Sequence, residues 1–144
     1  MSNRHPSQIP PAQRVAELIE SSLENPPSLR ALAQEVNMTP FQLSRLFRRY
    51  HGETIPGYIR RLRMARAASM LIKSNMMIGQ ISHAVGYQSL GAFVRGFTRE
   101  IGKTPSVYRR ETRANREKSG VLGLVAAWMH ELCFPVMDVM KLCC

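Results

Sequence analysis

Sliding the sequence against itself by 50 residues sets Arg45 on Arg95, Phe47 on Phe97, Gly52 on Gly102, Thr54 on Thr104 and Tyr58 on Tyr108. Just ahead of these a shift of 49 sets Val36 on Val85 and Met38 on Tyr87, so the second copy carries one extra residue in its turn. Stops, caps and aromatics that recur at one register mark a duplicated supersecondary unit, and such units bury their apolar faces against one another. Whatever this chain folds into is built twice.

Each copy is a short helix, a tight turn and a longer capped helix. In the first, Ser28 caps a helix whose apolar positions are Leu29, Leu32, Ala33 and Val36, and Asn37-Met38 turns the chain. Thr39-Pro40-Phe41-Gln42 then supplies an N-cap, a proline at the first helical position and a capping-box glutamine. Leu43, Leu46, Phe47 and Tyr50 form the expected buried stripe, and Gly52 ends it. In the second copy Ile78, Ile81, Ser82 and Val85 lead to a turn at Gly86; Ser89 caps a helix with Phe93, Phe97 and Ile101 inward, ended by Gly102. Gly86 takes a positive φ freely and Asn37 at modest cost, so both turns can be steep.

Between the copies Ile55 to Lys73 reads as a long helix offering Tyr58, Ile59, Leu62, Ala65 and Leu71 for burial. A helix carrying Val15, Leu18, Ile19 and Leu23 precedes the first copy, and Thr104-Pro105 starts a last short helix through Tyr108. No segment alternates with period two, so the fold class is all-α: two helix-turn-helix subdomains (28–51 and 78–101) joined by a linker helix (55–73), homeodomain-like and duplicated. Residues 1–12, rich in Pro and Ser, are expected to be disordered. Residues 111–144 are expected to be a polar linker followed by an apolar tail.

Charge narrows the partner. Residues 28–118 hold 17 of the 20 Lys/Arg and 5 of the 10 Asp/Glu, a net +12 (17 minus 5) within a chain of net +10. A basic middle between near-neutral ends suits a polyanion. On the helix from Pro40, Phe41, Arg45 and Arg48 lie opposite the apolar stripe, flanked by Gln42 and Arg49. Arg pairs with guanine, Gln with adenine, and an exposed Phe lies against a thymine methyl. The second long helix presents Gly91, Arg95, Thr98 and Arg99, with Arg95 its principal reader. Its small residues either bring the backbone close to DNA or, for Gly96 equally, fit tight helix packing. The 19-residue connector is about 28 Å long, comparable with one DNA turn of about 34 Å; Arg60, Arg61, Arg63 and Arg66 line it and suit phosphates or backbone carbonyls.

Other classes fit poorly. His5, His51, His83 and His130 show no catalytic spacing and no Gly-rich phosphate loop occurs, so no enzyme activity, cofactor or metal is expected. Cys133, Cys143 and Cys144 form no disulfide framework, the first residues show no secretory signal, and the tail is too short and interrupted to span a membrane, which points to the cytoplasm. The tail, GVLGLVAAWMHELCFPVMDVMKLCC, is apolar on nearly every side and calls for burial on the domain or on a second copy. His130 and Cys133 with Cys143-Cys144 are a weak metal or thiol motif.

ISHAVGYQSLGAFVRGFTREIGKTPSVYRR, with LRALAQEVNMTPFQLSRLFRRYHGETIPGYIRRLRMARAASMLIKS before it, resembles the AraC/XylS family of bacterial transcription regulators over residues 13–110. The resemblance implies an activator that binds promoter DNA in two successive major-groove segments, as a monomer on DNA (with a tail-mediated dimer as an option), near the nucleoid and in contact with RNA polymerase. It places base reading on Phe41, Gln42, Ser44 and Arg45, and on Leu90, Gly91, Val94 and Arg95. Leu90, Gly91 and Val94 depart from that pattern as poor hydrogen-bonders. Phosphate contacts are expected from Thr39, Arg48, Arg49, Arg60, Arg61, Ser89, Thr98 and Arg99. With few residues ahead of the first helix, the chain resembles the short members without an effector domain. The alternative is a helical protein-interaction module whose basic face binds RNA polymerase or another acidic partner without reading DNA.

Overall fold

The computed structural model describes residues 9–119, which form seven helices and no strand. In chain order they are α1 (Pro11–Ser21), α2 (Leu29–Glu35), α3 (Pro40–His51), α4 (Ile55–Lys73), α5 (Ile78–Ala84), α6 (Leu90–Ile101) and α7 (Pro105–Ser119). The local signals act as their chemistry dictates. Thr39 Oγ1 accepts from Gln42 N while Gln42 Oε1 accepts from Thr39 N at 3.0 Å, closing the capping box that starts α3. Asn37 (φ 54°) and Gly86 (φ 88°) hold the two left-handed turns between the short and long helices.

Two cores form, one per copy. Val15, Ile19, Leu32, Leu43, Phe47 and Tyr58 make the first, and Met64, Leu71, Ile81, Val85, Phe93 and Phe97 the second. Helix α4 serves both, its N-terminal half closing the first lobe and its C-terminal half opening the second. This is why Met64, Ala67 and Ala68 are buried while Ala65 is only half so. The duplication extends to aromatic geometry. Phe47 meets Tyr58 edge-on at 5.3 Å, and Phe97 meets Tyr108 edge-on at 5.5 Å.

Two boundaries and one seat differ from the sequence reading. Helix α1 begins at Pro11 with Ala12 fully buried, so the N-terminal limit of the packed unit lies inside the stretch expected to be disordered. Helix α7 continues past Tyr108 through Ser119, so residues 111–119 are helical and not a linker. Arg109 and Arg113 hold it down: Arg109 Nη2 donates to Met76 O at 2.6 Å, and Arg113 Nη2 donates to Ser74 O at 2.8 Å and Asn75 Oδ1 at 2.9 Å. Tyr50 is 42% exposed, because His51 continues the Leu43–Phe47 ridge instead. The imidazole stacks on Phe47 at 4.3 Å and lies 3.3 Å from Ala12 O, and burial pushes its pKa down, keeping it the neutral donor to that carbonyl. The apolar tail with His130, Cys133, Cys143 and Cys144 lies outside the described residues.

Ser82 is 1% exposed, on the core side of α5, and its hydroxyl has no hydrogen-bond partner among the described residues. The duplicate position in the first lobe is Ala33, also buried. Ser82→Ala is therefore expected to raise stability by about 1 kcal/mol, since it removes an unsatisfied polar group without opening much space. Urea unfolding checks this; a lower midpoint would mean that the hydroxyl has a partner in solution.

Candidate nucleic-acid interface

The outward faces of α3 and α6 each carry an exposed apolar side chain beside exposed arginines. Phe41 is 70% exposed in the first turn of α3, and the Arg45 guanidinium lies over its ring, 5.6 Å from the centroid. Helical side chains lean toward the N-terminus, so an arginine four residues on covers the first turn. Arg95 repeats the gesture on α6: a Cβ built on Gly91 would stand 3.4 Å from Arg95 Nη1. Each long helix thus directs one arginine toward its own N-terminal turn. The floor beneath it differs, a phenyl ring in the first lobe and bare backbone beside Leu90, 49% exposed, in the second.

The arginines of the two long helices and those of the connector differ in their partners. Among the described residues, Arg45, Arg48, Arg49, Arg95 and Arg99 are exposed and form no ion pair. The connector arginines are engaged by carboxylates and carbonyls brought from other elements. Arg61 Nη2 lies 2.8 Å from Glu53 Oε1 and its guanidinium sits over the Tyr58 ring at 5.1 Å. Arg60 Nε lies 2.9 Å from Glu100 Oε1, and Arg66 Nη2 lies 3.4 Å from Glu24 Oε1. Arg63 donates to Leu23 O and Glu24 O at 3.1 and 3.2 Å. The phosphate-contact expectation for Arg60 and Arg61 therefore meets guanidiniums that already hold counter-charges. Arg60 is the more open of the two, with 43% of its side chain exposed against 18% for Arg61.

Several expected contacts are likewise spoken for. Gln42 Oε1 accepts from both Thr39 N and Thr39 Oγ1, which leaves its amide nitrogen but not its carbonyl for an adenine edge. Val94 packs partly against the second core, and the Thr98 hydroxyl donates to Val94 O at 2.7 Å. Ser89 Oγ accepts from Ala92 N as the cap of α6. Ser44 is exposed on the same side as Arg45, with no such commitment among the described residues. Gly96 is buried, and a Cβ there would lie 3.2 Å from Tyr87 Oη. Of the two readings for that glycine, helix packing is the one realised.

Sequence reasoning missed Glu24, Glu53 and Glu100 as partners because they lie 8 to 42 residues from the arginines they meet. It also missed Arg113, although the 50-residue register places it on Arg63 and both clip the backbone at the end of a preceding helix. No described helix is long and apolar enough to cross a membrane. No group of three or more His, Cys, Asp or Glu among the described residues could hold a metal ion.

Comparison with known proteins places this geometry. A family model described as "Helix-turn-helix domain" matches residues 32–111. The chain is 37% identical over 91 residues to the HTH-type transcriptional activator RhaR of Salmonella schwarzengrund, covering 63% of this chain and 32% of that protein, so it spans about a third of that relative's length. A transcriptional regulator of Chromobacterium violaceum, with AraC-type DNA-binding domain-containing proteins in its description, superposes with a TM-score of 0.65 at 31% identity over 71% of this chain and 92% of that one. The DNA-binding domain of AdpA, solved in complex with a target DNA, superposes with a TM-score of 0.71 over 77% of this chain and all of that one; at 23% identity it shows the fold alone.

Proposed function

The chain belongs to the AraC-type helix-turn-helix family, and from that premise we propose that it is a sequence-specific DNA-binding transcription regulator acting as an activator. One observation carries the reading: among the described residues the outward arginines of α3 and α6, Arg45, Arg48, Arg49, Arg95 and Arg99, are exposed without an ion pair, as are Arg14, Arg30, Arg110 and Arg116 on other helices, while Arg60, Arg61, Arg63 and Arg66 of the connector are engaged within the chain. A face kept cationic at the cost of self-repulsion suits a polyanion. In this proposal the modules 28–51 and 78–101 enter successive major grooves. Arg45 and Arg95 are the principal readers of base edges, with Ser44 beside Arg45 and the exposed Phe41 and Leu90 available to thymine methyls. Arg48, Arg49 and Arg99 take phosphates, joined at each helix start by the Thr39 and Ser89 caps. Binding as a monomer in the cytoplasm belongs to the same proposal, as does contact with RNA polymerase, which the description of RhaR as an activator supports.

Selection from random duplexes, followed by gel shifts across salt, tests it. The expected result is one preferred duplex over its scrambled version, with affinity falling as roughly the third to fifth power of salt concentration, as about four neutralised phosphates require. Equal affinity for all duplexes, or binding to an acidic protein with no duplex preference, would replace the proposal with a protein-interaction module.

A further inference from the structure

A stack of groups runs from the end of α1 to the inner face of α6, with Arg63 at its centre. On one side the Arg63 fork donates to Leu23 O and Glu24 O, carbonyls just past the C-terminus of α1 where the helix dipole favours a cation. On the other side its guanidinium lies over the Tyr87 ring, 5.6 Å from the centroid. Tyr87 stands in the turn between α5 and α6, edge-on to Phe93 at 5.7 Å, with its hydroxyl filling the space that Gly96 leaves on α6. Gly86 completes the fit, because a Cβ there would collide with Glu24 O and the Arg63 guanidinium.

Leu23 belongs to the first lobe's core and Phe93 to the second's, so this stack joins the two lobes. Arg60 and Arg66 stand three residues to either side of Arg63 on the same face of α4, and reach Glu100 of α6 and Glu24 respectively. A forked guanidinium that bonds one lobe's backbone and lies on the other lobe's turn braces the two lobes away from the axis of α4, which a lysine's single ammonium would not.

We infer that Arg63 is a positioning residue that fixes α6 relative to α3, and thereby sets the spacing between the two DNA segments this chain accepts. The inference rests on the two-module DNA reading proposed above. Two modules on one rigid frame gain affinity from binding together only where the spacing matches, and lose it where the geometry forbids joint engagement.

The test uses the full chain and its selected duplex, with versions carrying two extra base pairs between the two contacted segments. The insertion displaces the second segment by about 7 Å and turns it by about 70°. The wild type is expected to lose about a hundredfold in affinity on insertion. Arg63→Ala is expected to bind the original duplex more weakly and to lose less than about tenfold on insertion, because its modules adjust independently. Arg63→Gln, which keeps a donor for one carbonyl and no guanidinium over Tyr87, is expected to fall between. Circular dichroism establishes that each variant is folded. A folded Arg63→Ala with the wild-type insertion penalty would overturn the inference, and so would failure of both variants to fold, which would make Arg63 a folding residue. A wild type that prefers no duplex would defeat the DNA reading itself; one that prefers a duplex and tolerates the insertion would defeat only the spacing claim.

Discussion

Truncating Phe97 to alanine is expected to cost about 3–5 kcal/mol of stability, the range for a buried phenyl ring whose removal leaves a cavity. The ring is fully buried, tilted against Phe93 at 5.7 Å and edge-on to Tyr108 at 5.5 Å, so its loss strips one wall from α5, α6 and α7 together. For a domain with a net stability of about 5–15 kcal/mol that is a large fraction of the whole. Urea unfolding followed by circular dichroism measures it. The mirror substitution Phe47→Ala should cost a similar amount, since Phe47 is equally buried and meets Tyr58 edge-on. A loss under about 1 kcal/mol at Phe97 would mean that the second core closes over the vacancy, contrary to the rigid packing that cores display.

Legibility in the sequence follows the range of the interaction. Helix starts and stops are decided within four residues: Thr39 with Gln42, Ser89 with Ala92, Gly52 and Gly102 in the left-handed conformation. These and the duplication were readable, and with them the all-α architecture. The choice of His51 over Tyr50 for the inner seat was not, because both residues fit a 3.6-residue period and the groups that separate them, the Ala12 carbonyl and the Tyr58 ring against His51, come from other helices. The extent of α7 was hidden for a related reason. Its outer surface is polar throughout, and what docks it is a pair of arginines reaching carbonyls of the α4–α5 connection.

At the interface the residues were readable and their commitments were not. Arg45 and Arg60 look alike in a sequence; Glu100, 40 residues from Arg60, makes them different. Gln42 shows how one side chain can carry two sequence signals that exclude each other in space, since the carbonyl that closes the capping box is the one an adenine amino group requires. The thinly dressed surface of α6 likewise has two causes. Gly91 is exposed beneath Arg95, whereas Gly96 faces inward beneath the Tyr87 hydroxyl, and only packing against the preceding turn separates the roles.

Arg45→Ala is the substitution on which the reading of the outer face turns. Its guanidinium forms no ion pair among the described residues and is held over Phe41, so it meets an incoming duplex pre-placed and without a counter-charge to displace. Removing it is expected to cost about 1–3 kcal/mol, roughly fivefold to 150-fold in affinity, and to relax preference at one base position. Arg49→Ala, one residue past the reading face, is expected to weaken all duplexes alike and to reduce the salt slope by about one. Arg60→Ala should change affinity less than either, because Glu100 already neutralises that guanidinium at 2.9 Å. Competition binding against single-position variants of the selected duplex separates the three. If Arg45→Ala weakened every duplex equally, Arg45 would be a phosphate contact, and base reading by the first module would have to rest on Phe41 and Ser44 alone. If Arg60→Ala matched it in cost, the ion pair with Glu100 would open on binding, and the division between free and engaged arginines would not describe the bound state.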